Sequence, residues 1–381
     1  MLNLEMLLEE NQFVSNEIAK HIHFNKGTAY YNMQTEKFNG QSLQKVIYVI
    51  SYITKKYSGN RFPIVLNLGE FYFSDKLVYI LLECLCYYII NYRKQQIILN
   101  FNATHTIASE GIQFSPLIML GVEKDYNTFN KKFKFDIQMK HFRKLIDKKT
   151  RDNSEYLSKL MQDVKGFLKF NNVDTKSCDE LSEVIVELVG NAGEHGKTDC
   201  LFDLDITDNR YKFYKQEQNK YFGLNVSIVN FSEKLFNELL MERMKTVHNL
   251  PERYNYINQA EKVHKEYFNK NYSLNDFYTI ASFQHKISGS LIKRDTGGTG
   301  LTSLIKSLEE RSKGHYCYML SGNRIMFFSS ELMKYDDKKF IGFNKEGNFL
   351  TQPPEMTIFQ SIETYLPGTA YNLSFAIERN I

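Results

Sequence analysis

The most apolar segment of the chain sets the first constraint on its fold. Residues 77–92, LVYILLECLCYYIINY, form an apolar run that includes Glu83. A helix needs about 20 predominantly apolar residues to cross a bilayer, so this segment is too short and too charged to do so. The sequence therefore predicts a helix buried inside a folded protein.

Composition and charge favour two folded domains without a nucleic-acid partner. The chain has 381 residues, of which 43% are hydrophobic and 24% charged, and its formal net charge is +4. This charge is too small to indicate nucleic-acid binding, and we interpret the basic runs at 131–135 and 147–151 as solvated faces. The five cysteines have no C-x-x-C spacing, which argues against disulfides or a zinc site and favours a reducing compartment.

The amino-terminal stretch MLNLEMLLEENQFVSNE is acidic and amphipathic. It lacks the basic start and the unbroken apolar stretch of a signal peptide. We therefore expect a cytoplasmic protein with no membrane partner. The bias toward Lys, Asn and Ile, with no Trp, indicates a bacterial source with an AT-rich genome.

Strand and helix patterns divide the chain into two domains. Residues 1–27 are interpreted as a helical segment, and residues 28–133 alternate between strands and helices, which predicts a small α/β domain. The polar stretch 134–156 is interpreted as a connector. Residues 157–381 then form the second domain, with a long charged insertion at about 231–296.

The second domain is predicted to be an α/β sandwich. Its order is two helices, two strands, the insertion, a glycine cluster, a further helix and the last strands. The segment HYCYMLSGNRIMFFSS is interpreted as a hairpin that turns at residues 321–323.

A polar stripe lies on the second of these helices. In ELVGNAGEHG, residues 187–196, Glu187, Asn191 and His195 are spaced four apart and share one helical face. An amide oxygen suits Mg²⁺, which usually keeps waters and substrate phosphates, and a carboxylate one turn away can orient or deprotonate an attacking water or hydroxyl. The alternative is an ordinary amphipathic helix with a polar outer face.

A glycine cluster, TGGTGL at residues 296–301, runs directly into a helix. Glycines let backbone amides converge on phosphate oxygens, and the positive end of the following helix adds to the attraction. The cluster does not match the Walker-type loop, and taken alone a glycine cluster is more often a turn or a helix start.

The two motifs together, in this order, resemble those of the GHKL, or Bergerat-fold, ATPases. ELVGNAGEHG is similar to the N box of that family, closest to its anti-sigma-factor serine kinases, GGTGL to its second glycine box, and LPGTAYNLSF to its closing strand. The resemblance covers roughly residues 150–381. It implies a C-terminal GHKL α/β sandwich whose insertion is a lid, with ATP and Mg²⁺ as cofactors.

The resemblance also implies roles at the matching positions. Glu187 matches the general base, Asn191 the magnesium ligand, His195 a residue near the nucleotide, and Thr369 the threonine near the adenine. The loop that embraces the phosphates corresponds to Gly297, Gly298, Thr299, Gly300 and Leu301. Lys293 and Arg294, which precede this loop, are our candidates for reaching the terminal phosphate.

One position departs from the family pattern. The family's first glycine box begins Asp-x-Gly after a strand, and its aspartate accepts the adenine amino group. Here the corresponding stretch reads Asn230-Phe231-Ser232, so both the charge and the glycine are missing. Asn230 can still accept from an amino group through its amide oxygen. The departure weakens the implied adenine specificity.

Two functions follow from the resemblance. The first is a Mg²⁺-dependent ATP-binding protein that hydrolyses ATP or transfers its γ-phosphate to a protein hydroxyl, with lid closure signalling to the amino-terminal domain, a protein partner or a second subunit. The alternative is a non-catalytic regulatory module gated by nucleotide. The departure at Asn230 favours the alternative, whereas Glu187 favours catalysis.

The amino-terminal domain resembles STAS domains, the partners of anti-sigma-factor kinases. The resemblance rests on FPIVLNLGEFYFSDKLVYILLECLCYYI, a strand followed by a helix. Ser74 lies near the position of the regulatory serine of those domains, and Ser74 or Asp75 is placed to cap the helix. Any strand–helix unit with an N-cap serine would show the same pattern.

Overall fold

Two β-sheets form the framework of the protein. A computed structural model describes residues 4–11, 16–57, 61–104, 107–121, 124–148, 154–196, 198–207, 221–247, 250–287, 304 and 317–378. The first sheet has five strands and the second has six. Helices pack on both sheets, which confirms the predicted α/β class.

The first sheet and its helices come from the amino-terminal part of the chain. The elements are α1 Glu5–Glu10, α2 Asn16–Lys20, β1 Ile22–Asn25, β2 Thr28–Asn32, β3 Lys37–Phe38, α3 Gly40–Lys56, β4 Ile64–Phe73, α4 Lys76–Asn91, β5 Ile97–Thr104 and α5 Tyr126–Lys134. Strands β1 and β2 are antiparallel, whereas β2, β3 and β5 run parallel to β4. Asp75 caps α4 by accepting a hydrogen bond from Val78 N at 3.1 Å, as one of the two predicted caps.

The second sheet is antiparallel throughout, in the order β10-β11-β9-β8-β7-β6. Its strands are β6 Phe135–Gln138, β7 His141–Ile146, β8 Cys200–Thr207, β9 Tyr221–Asn230, β10 Tyr318–Phe327 and β11 Phe359–Glu378. The helices α6 Ser154–Phe170 and α7 Thr175–Gly196 cover one face of this sheet. They pack on alternate strand residues, such as Phe202, Leu204 and Ile228, because successive side chains of a strand point to opposite faces.

Helix α4 lies on the other face of the second sheet. Its apolar side chains share one buried cluster with Leu201, Val229 and Phe231 as well as with the first sheet. A helix that is apolar nearly all round needs such cover on every side. The buried helix predicted from residues 77–92 is confirmed, and within the described ranges no helix is long and apolar enough to cross a membrane.

Two boundaries of the predicted domains are wrong. The predicted connector 134–156 contains the edge strand β6 and its neighbour β7, which belong to the second sheet. Residues 1–27 are not only helical, since β1 pairs with β2. Strand β7 does not show the usual alternation of apolar buried and polar exposed residues. Its polar residues His141 and Arg143 are buried as well, because they form ion pairs.

The described part of the insertion is a folded helical layer. It contains α8 Glu238–Thr246, α9 Arg253–His264 and α10 Leu274–Ser282. These helices pack against the long connection between β10 and β11, where His264 Nε2 lies 2.8 Å from the carbonyl oxygen of Phe349. Arg324 of β10 pairs with Asp276 of α10 at 2.8 Å, which fixes this layer to the sheet.

The hairpin predicted at residues 321–323 is wrong. Residues Tyr318–Phe327 form one strand, β10, which pairs with β11 along its length. The register shifts on both sides of Gly322, whose φ is +60°. The turn-like residues therefore lie within a strand, and the extra residues at these register shifts belong to β11. The positive φ of Gly322 is a conformation that favours glycine.

Candidate functional site

Helix α7 carries the polar stripe without interruption. The helix extends from Thr175 to Gly196, so the glycines at 190 and 193 do not break it. The carboxylate of Asp174, just before the helix, accepts a hydrogen bond from Ser177 N at 2.9 Å. Glu187 and Asn191 are both partly exposed and lie one helical turn apart.

Packing does not require glycine at position 190. A Cβ atom at Gly190 would meet Leu157 Cδ1 at 3.5 Å, which is an ordinary van der Waals contact. The described surroundings of Gly190 therefore leave room for an alanine side chain.

Asn230 lies where α7 meets the end of β9, the start of β8 and the middle of β11. It is the last residue of β9 and pairs with Cys200 of β8 and Thr369 of β11. Its Nδ2 donates to the carbonyl oxygen of Ala192 at 3.3 Å and to Thr198 Oγ1 at 2.6 Å. Because a carbonyl oxygen only accepts, the bond to Ala192 fixes the orientation of the amide and directs Oδ1 away from the helix.

Gly368 fits closely against Asn230. Its φ is +87°, in the left-handed region that favours glycine. A Cβ at this position would lie 2.4 Å from the carbonyl oxygen of Asn230 and 3.1 Å from its Oδ1. The Gly-Thr pair of the closing strand is thus in direct contact with the end of β9.

One small cavity brings the predicted residues together. Asn191, Asn230 and Thr369 all line it, although they come from α7, β9 and β11. Its volume is about 20 Å³, which is room for about one water molecule. The remaining lining residues are Leu188, Ala192, Ile228, Lys234, Leu235, Phe236 and Tyr371.

Among the other predicted residues, Glu187 is the one whose side chain the structure describes. Glu187 lies one turn before Asn191 and does not line the cavity. His195 is in the last turn of α7, and its side chain lies outside the described structure. Seven further predicted residues lie outside the described ranges: Lys293, Arg294, Gly297, Gly298, Thr299, Gly300 and Leu301.

The donors near the cavity suit a hard cation. Asn191 offers an amide oxygen, and Glu187 offers a carboxylate on the same helical face. Among the described residues, no group of three or more His, Cys, Asp or Glu side chains is arranged to hold a metal ion. These two residues therefore fit a magnesium ion only if most of its ligands are waters or phosphate oxygens.

A buried ionic network on the opposite face of the second sheet was not predicted from the sequence. Lys76, the first residue of α4, forms ion pairs with Asp203 and Asp205 of β8. Arg143 of β7 pairs with Asp203 and with Glu83 of α4. All five side chains are at most 2% exposed, so the network joins α4 to the second sheet away from bulk solvent.

Three further residues extend this network. His141 Nε2 lies 3.0 Å from Asp203 Oδ2, and its Nδ1 lies 2.9 Å from Asp136 Oδ2. Ser115 Oγ donates a hydrogen bond to Glu83. The sequence signal that could have indicated the network is LFDLDIT. In this strand pattern the two aspartates share one face, and the apolar residues that alternate with them point to the other face.

The network shifts the pKa values of its members. Burial raises the pKa of Glu83 to about 7, although Arg143 opposes the shift. Burial also opposes ionisation of Asp203, but Arg143, Lys76 and His141 outweigh it and hold the pKa of Asp203 well below its usual value. The pKa of His141 is raised, because Asp203 and Asp136 outweigh its burial.

No protein-family model, no curated protein and no solved structure matches this chain.

Proposed function

We propose that the protein binds an adenine nucleotide with Mg²⁺ between α7, the end of β9 and the middle of β11. The observation that carries this proposal is the convergence of Asn191, Asn230 and Thr369 on one cavity. The three residues are far apart in sequence, and they are the residues that the GHKL resemblance assigns to the magnesium ion and the adenine. An ordinary amphipathic helix would not require this convergence.

Asn230 is the proposed adenine-binding residue. Its Nδ2 is held by Ala192 and Thr198, and its Oδ1 is the acceptor left to receive an adenine amino group. An amide binds such a group less strongly than a carboxylate does, because charge-assisted hydrogen bonds are about twice as strong. We therefore expect weak binding with modest preference for adenine over guanine.

Nucleotide binding requires the cavity to enlarge. A purine ring is several times larger than the space of about 20 Å³ that separates the lining residues. Lys234, Leu235 and Phe236, which follow β9, are partly or fully exposed and line one side. We propose that these side chains move outward when a base enters.

Asn191 and Glu187 are the proposed residues for the phosphate end of the ligand. Asn191 would hold the magnesium ion through its amide oxygen, and Glu187 would orient or deprotonate an attacking water or protein hydroxyl. Bound ATP would supply a γ-phosphate for hydrolysis or transfer. The second candidate function is a nucleotide-gated regulatory module without turnover, and the small cavity and the amide at position 230 favour it.

Thermal-shift titration tests binding. The wild-type protein is titrated with ATP, ADP and GTP, with and without Mg²⁺, beside Asn230→Leu, Asn191→Ala and the control Asn102→Ala, which alters an exposed residue of β5. Ligand at a hundredfold excess over the dissociation constant should stabilise the wild type and the control by about 2.7 kcal/mol. Asn230→Leu should lose the response to all three nucleotides, and Asn191→Ala should lose only the Mg²⁺-dependent part. No shift with any nucleotide would refute the proposal.

Turnover separates the two candidate functions. ATP hydrolysis and phosphate transfer to protein are measured for the wild type and for Glu187→Ala. Activity that the substitution abolishes would establish the enzyme. Nucleotide binding with equal, background-level turnover in both proteins would establish the regulatory module.

A further inference from the structure

Four exposed apolar side chains cluster at one edge of the second sheet. Phe135, Ile137, Met139 and Phe170 are 53%, 57%, 71% and 65% exposed. The Nδ2 of Asn171 donates to the carbonyl oxygen of Met139 at 2.9 Å, which places the end of α6 beside the turn between β6 and β7. We call these four residues the apolar strip. Large apolar groups gathered in this way on a surface indicate an interaction site.

The strip continues a face of the sheet that is buried elsewhere. Ile137 pairs with Phe142 in the β6–β7 hairpin, so both side chains lie on the same face. Phe142 is buried and packs against Phe167 of α6, with ring centroids 6.0 Å apart. Helix α6 therefore covers this face over β7 and leaves it uncovered over β6.

The main chain of β6 is also open on one side. Strand β6 is the last strand of its sheet, and within the described structure its only strand partner is β7. About half of the backbone donors and acceptors of an antiparallel edge strand point away from its single partner. An occupant of this edge is therefore able to form backbone hydrogen bonds as well as apolar contacts.

The charges around the strip are positive. Lys134 and Lys169 are exposed and adjoin Phe135 and Phe170 in sequence. Acidic groups nearby are already engaged, since Asp136 bonds His141 at 2.9 Å and Asp163 lies 3.7 Å from Lys144. The surface therefore favours an occupant that carries negative charge.

The apolar strip, the open backbone of β6 and the nearby lysines together indicate which kind of partner fits this edge. A second copy pairing through the same edge would bring its lysines against those of the first, which is unfavourable. A lipid surface would leave the open backbone groups of β6 without partners in the apolar layer. An extended protein segment satisfies the backbone groups, the apolar strip and the positive charges together.

We propose that β6 is a docking edge for an extended segment of a partner protein that alternates apolar and acidic residues. The segment adds to the second sheet as a seventh strand beside the six present. Its apolar side chains cover Phe135 and Ile137, and its carboxylates face Lys134 and Lys169. This inference does not depend on nucleotide binding.

Fluorescence anisotropy with synthetic peptides tests the proposal. The probe is a labelled peptide of alternating valine and glutamate. It is compared with an alternating valine–lysine peptide. The third peptide alternates valine and glutamate but is N-methylated at the backbone amides that would donate hydrogen bonds to β6. The protein variants are Ile137→Lys and, as a matched control, Ile118→Lys, because Ile118 is 52% exposed and lies outside the strip.

The expected result is saturable binding of the acidic peptide by the wild type and by Ile118→Lys. Ile137→Lys should weaken this binding at least tenfold, and the lysine and N-methylated peptides should bind at least tenfold more weakly than the acidic one. Equal binding of the acidic and lysine peptides, or no loss on N-methylation, would overturn the proposal. Ile137-dependent sedimentation with phosphatidylserine vesicles, or an Ile137-dependent dimer in light scattering, would overturn it in favour of a lipid surface or a second copy.

Discussion

Asn230 and Thr369 face each other across the β9–β11 ladder, and both side chains line the cavity beneath α7. Strand pairing fixes the two residues at the same level of the sheet, so their relative position does not depend on a flexible loop. The backbone of Gly368 lies against Asn230 on the same side. Gly368 and Thr369, two consecutive residues of β11, therefore both contact the end of β9. Substitution of either residue should affect this corner of the sheet.

The first prediction concerns Gly368→Ala. The new Cβ would combine a positive φ of +87° with a separation of 2.4 Å from the carbonyl oxygen of Asn230. We expect a loss of about 2–4 kcal/mol in the free energy of unfolding, measured in urea. Gly347→Ala is the matched control, since Gly347 has φ +65° and a Cβ added there would meet no described atom within 4 Å. It should cost only about 1 kcal/mol, and equal losses in both variants would show that the contact with Asn230 is unimportant.

The second prediction concerns Gly190→Ala in α7. Among the described residues, the only atom outside the backbone of α7 within 4 Å of the new Cβ is Leu157 Cδ1, at 3.5 Å. Alanine is also the better helix former. We expect the free energy of unfolding to increase by about 0.5–1 kcal/mol. Since Gly190 does not line the cavity, the response to nucleotide should not change. A loss of stability would mean that the space around Gly190 is tighter than the described contacts indicate.

The local elements were predictable because they depend on periodicity. A long apolar run predicts helix α4, and short apolar segments before and after it predict β4 and β5. Strand β7 was missed because His141 and Arg143 read as exposed polar residues, whereas ion pairs bury them. The hairpin predicted at Gly322 is wrong because a positive φ favours glycine within an irregular pair of strands as well as in a turn.

Contacts between residues that are distant in sequence were harder to predict. Nothing in the local pattern places Thr369 beside Asn230, and the resemblance to a known family alone led us to expect them near one ligand. Their common cavity is observed, and the nucleotide remains a prediction. The network around Asp203 could not be predicted, because it exists only once α4 docks on the second sheet and brings Lys76 there.

The third prediction concerns Phe236→Ala and rests on the proposed function. Phe236 lines the cavity and packs against Phe283 with ring centroids 5.2 Å apart. Truncation should lower the free energy of unfolding by about 1–3 kcal/mol and should strengthen nucleotide binding, because the cavity no longer has to expand. Calorimetric titration with ATP and Mg²⁺ measures the affinity. Weaker binding would indicate that the Phe236 ring contacts the base directly.

The fourth prediction concerns Lys76→Met. The substitution keeps the apolar stem but leaves Asp205 without its cation, with Asn225 Nδ2 at 2.9 Å as a remaining donor. We expect a loss of about 3–5 kcal/mol in the free energy of unfolding. Adding Asp205→Asn removes the uncompensated charge, so the double variant should be more stable than Lys76→Met alone. Strict additivity of two losses would show that Lys76 and Asp205 do not interact energetically.

The fifth prediction concerns the pH dependence of stability through Glu83. Burial raises the pKa of Glu83 from 4.5 to about 7 in the folded protein. Between these two values the folded state keeps a proton that the unfolded state releases, so stability must fall as pH rises. The groups that face Glu83 are Arg143, Ser115, Asp203 and His141. The raised pKa of His141 acts in the same direction, because stability from a protonated histidine is lost as pH rises through its folded pKa.

Urea unfolding at pH 5, 6, 7 and 8 measures the pH dependence of the free energy of unfolding in wild type and in Glu83→Gln. The glutamine preserves the volume and an acceptor for Ser115 but cannot ionise. We expect the wild type to lose about 3 kcal/mol more than Glu83→Gln between pH 5 and pH 8, since each pKa unit is worth about 1.4 kcal/mol. Glu70→Gln is the control, because Glu70 is exposed and should leave the wild-type profile unchanged. Parallel profiles for wild type and Glu83→Gln would mean that Arg143 keeps Glu83 ionised throughout this range.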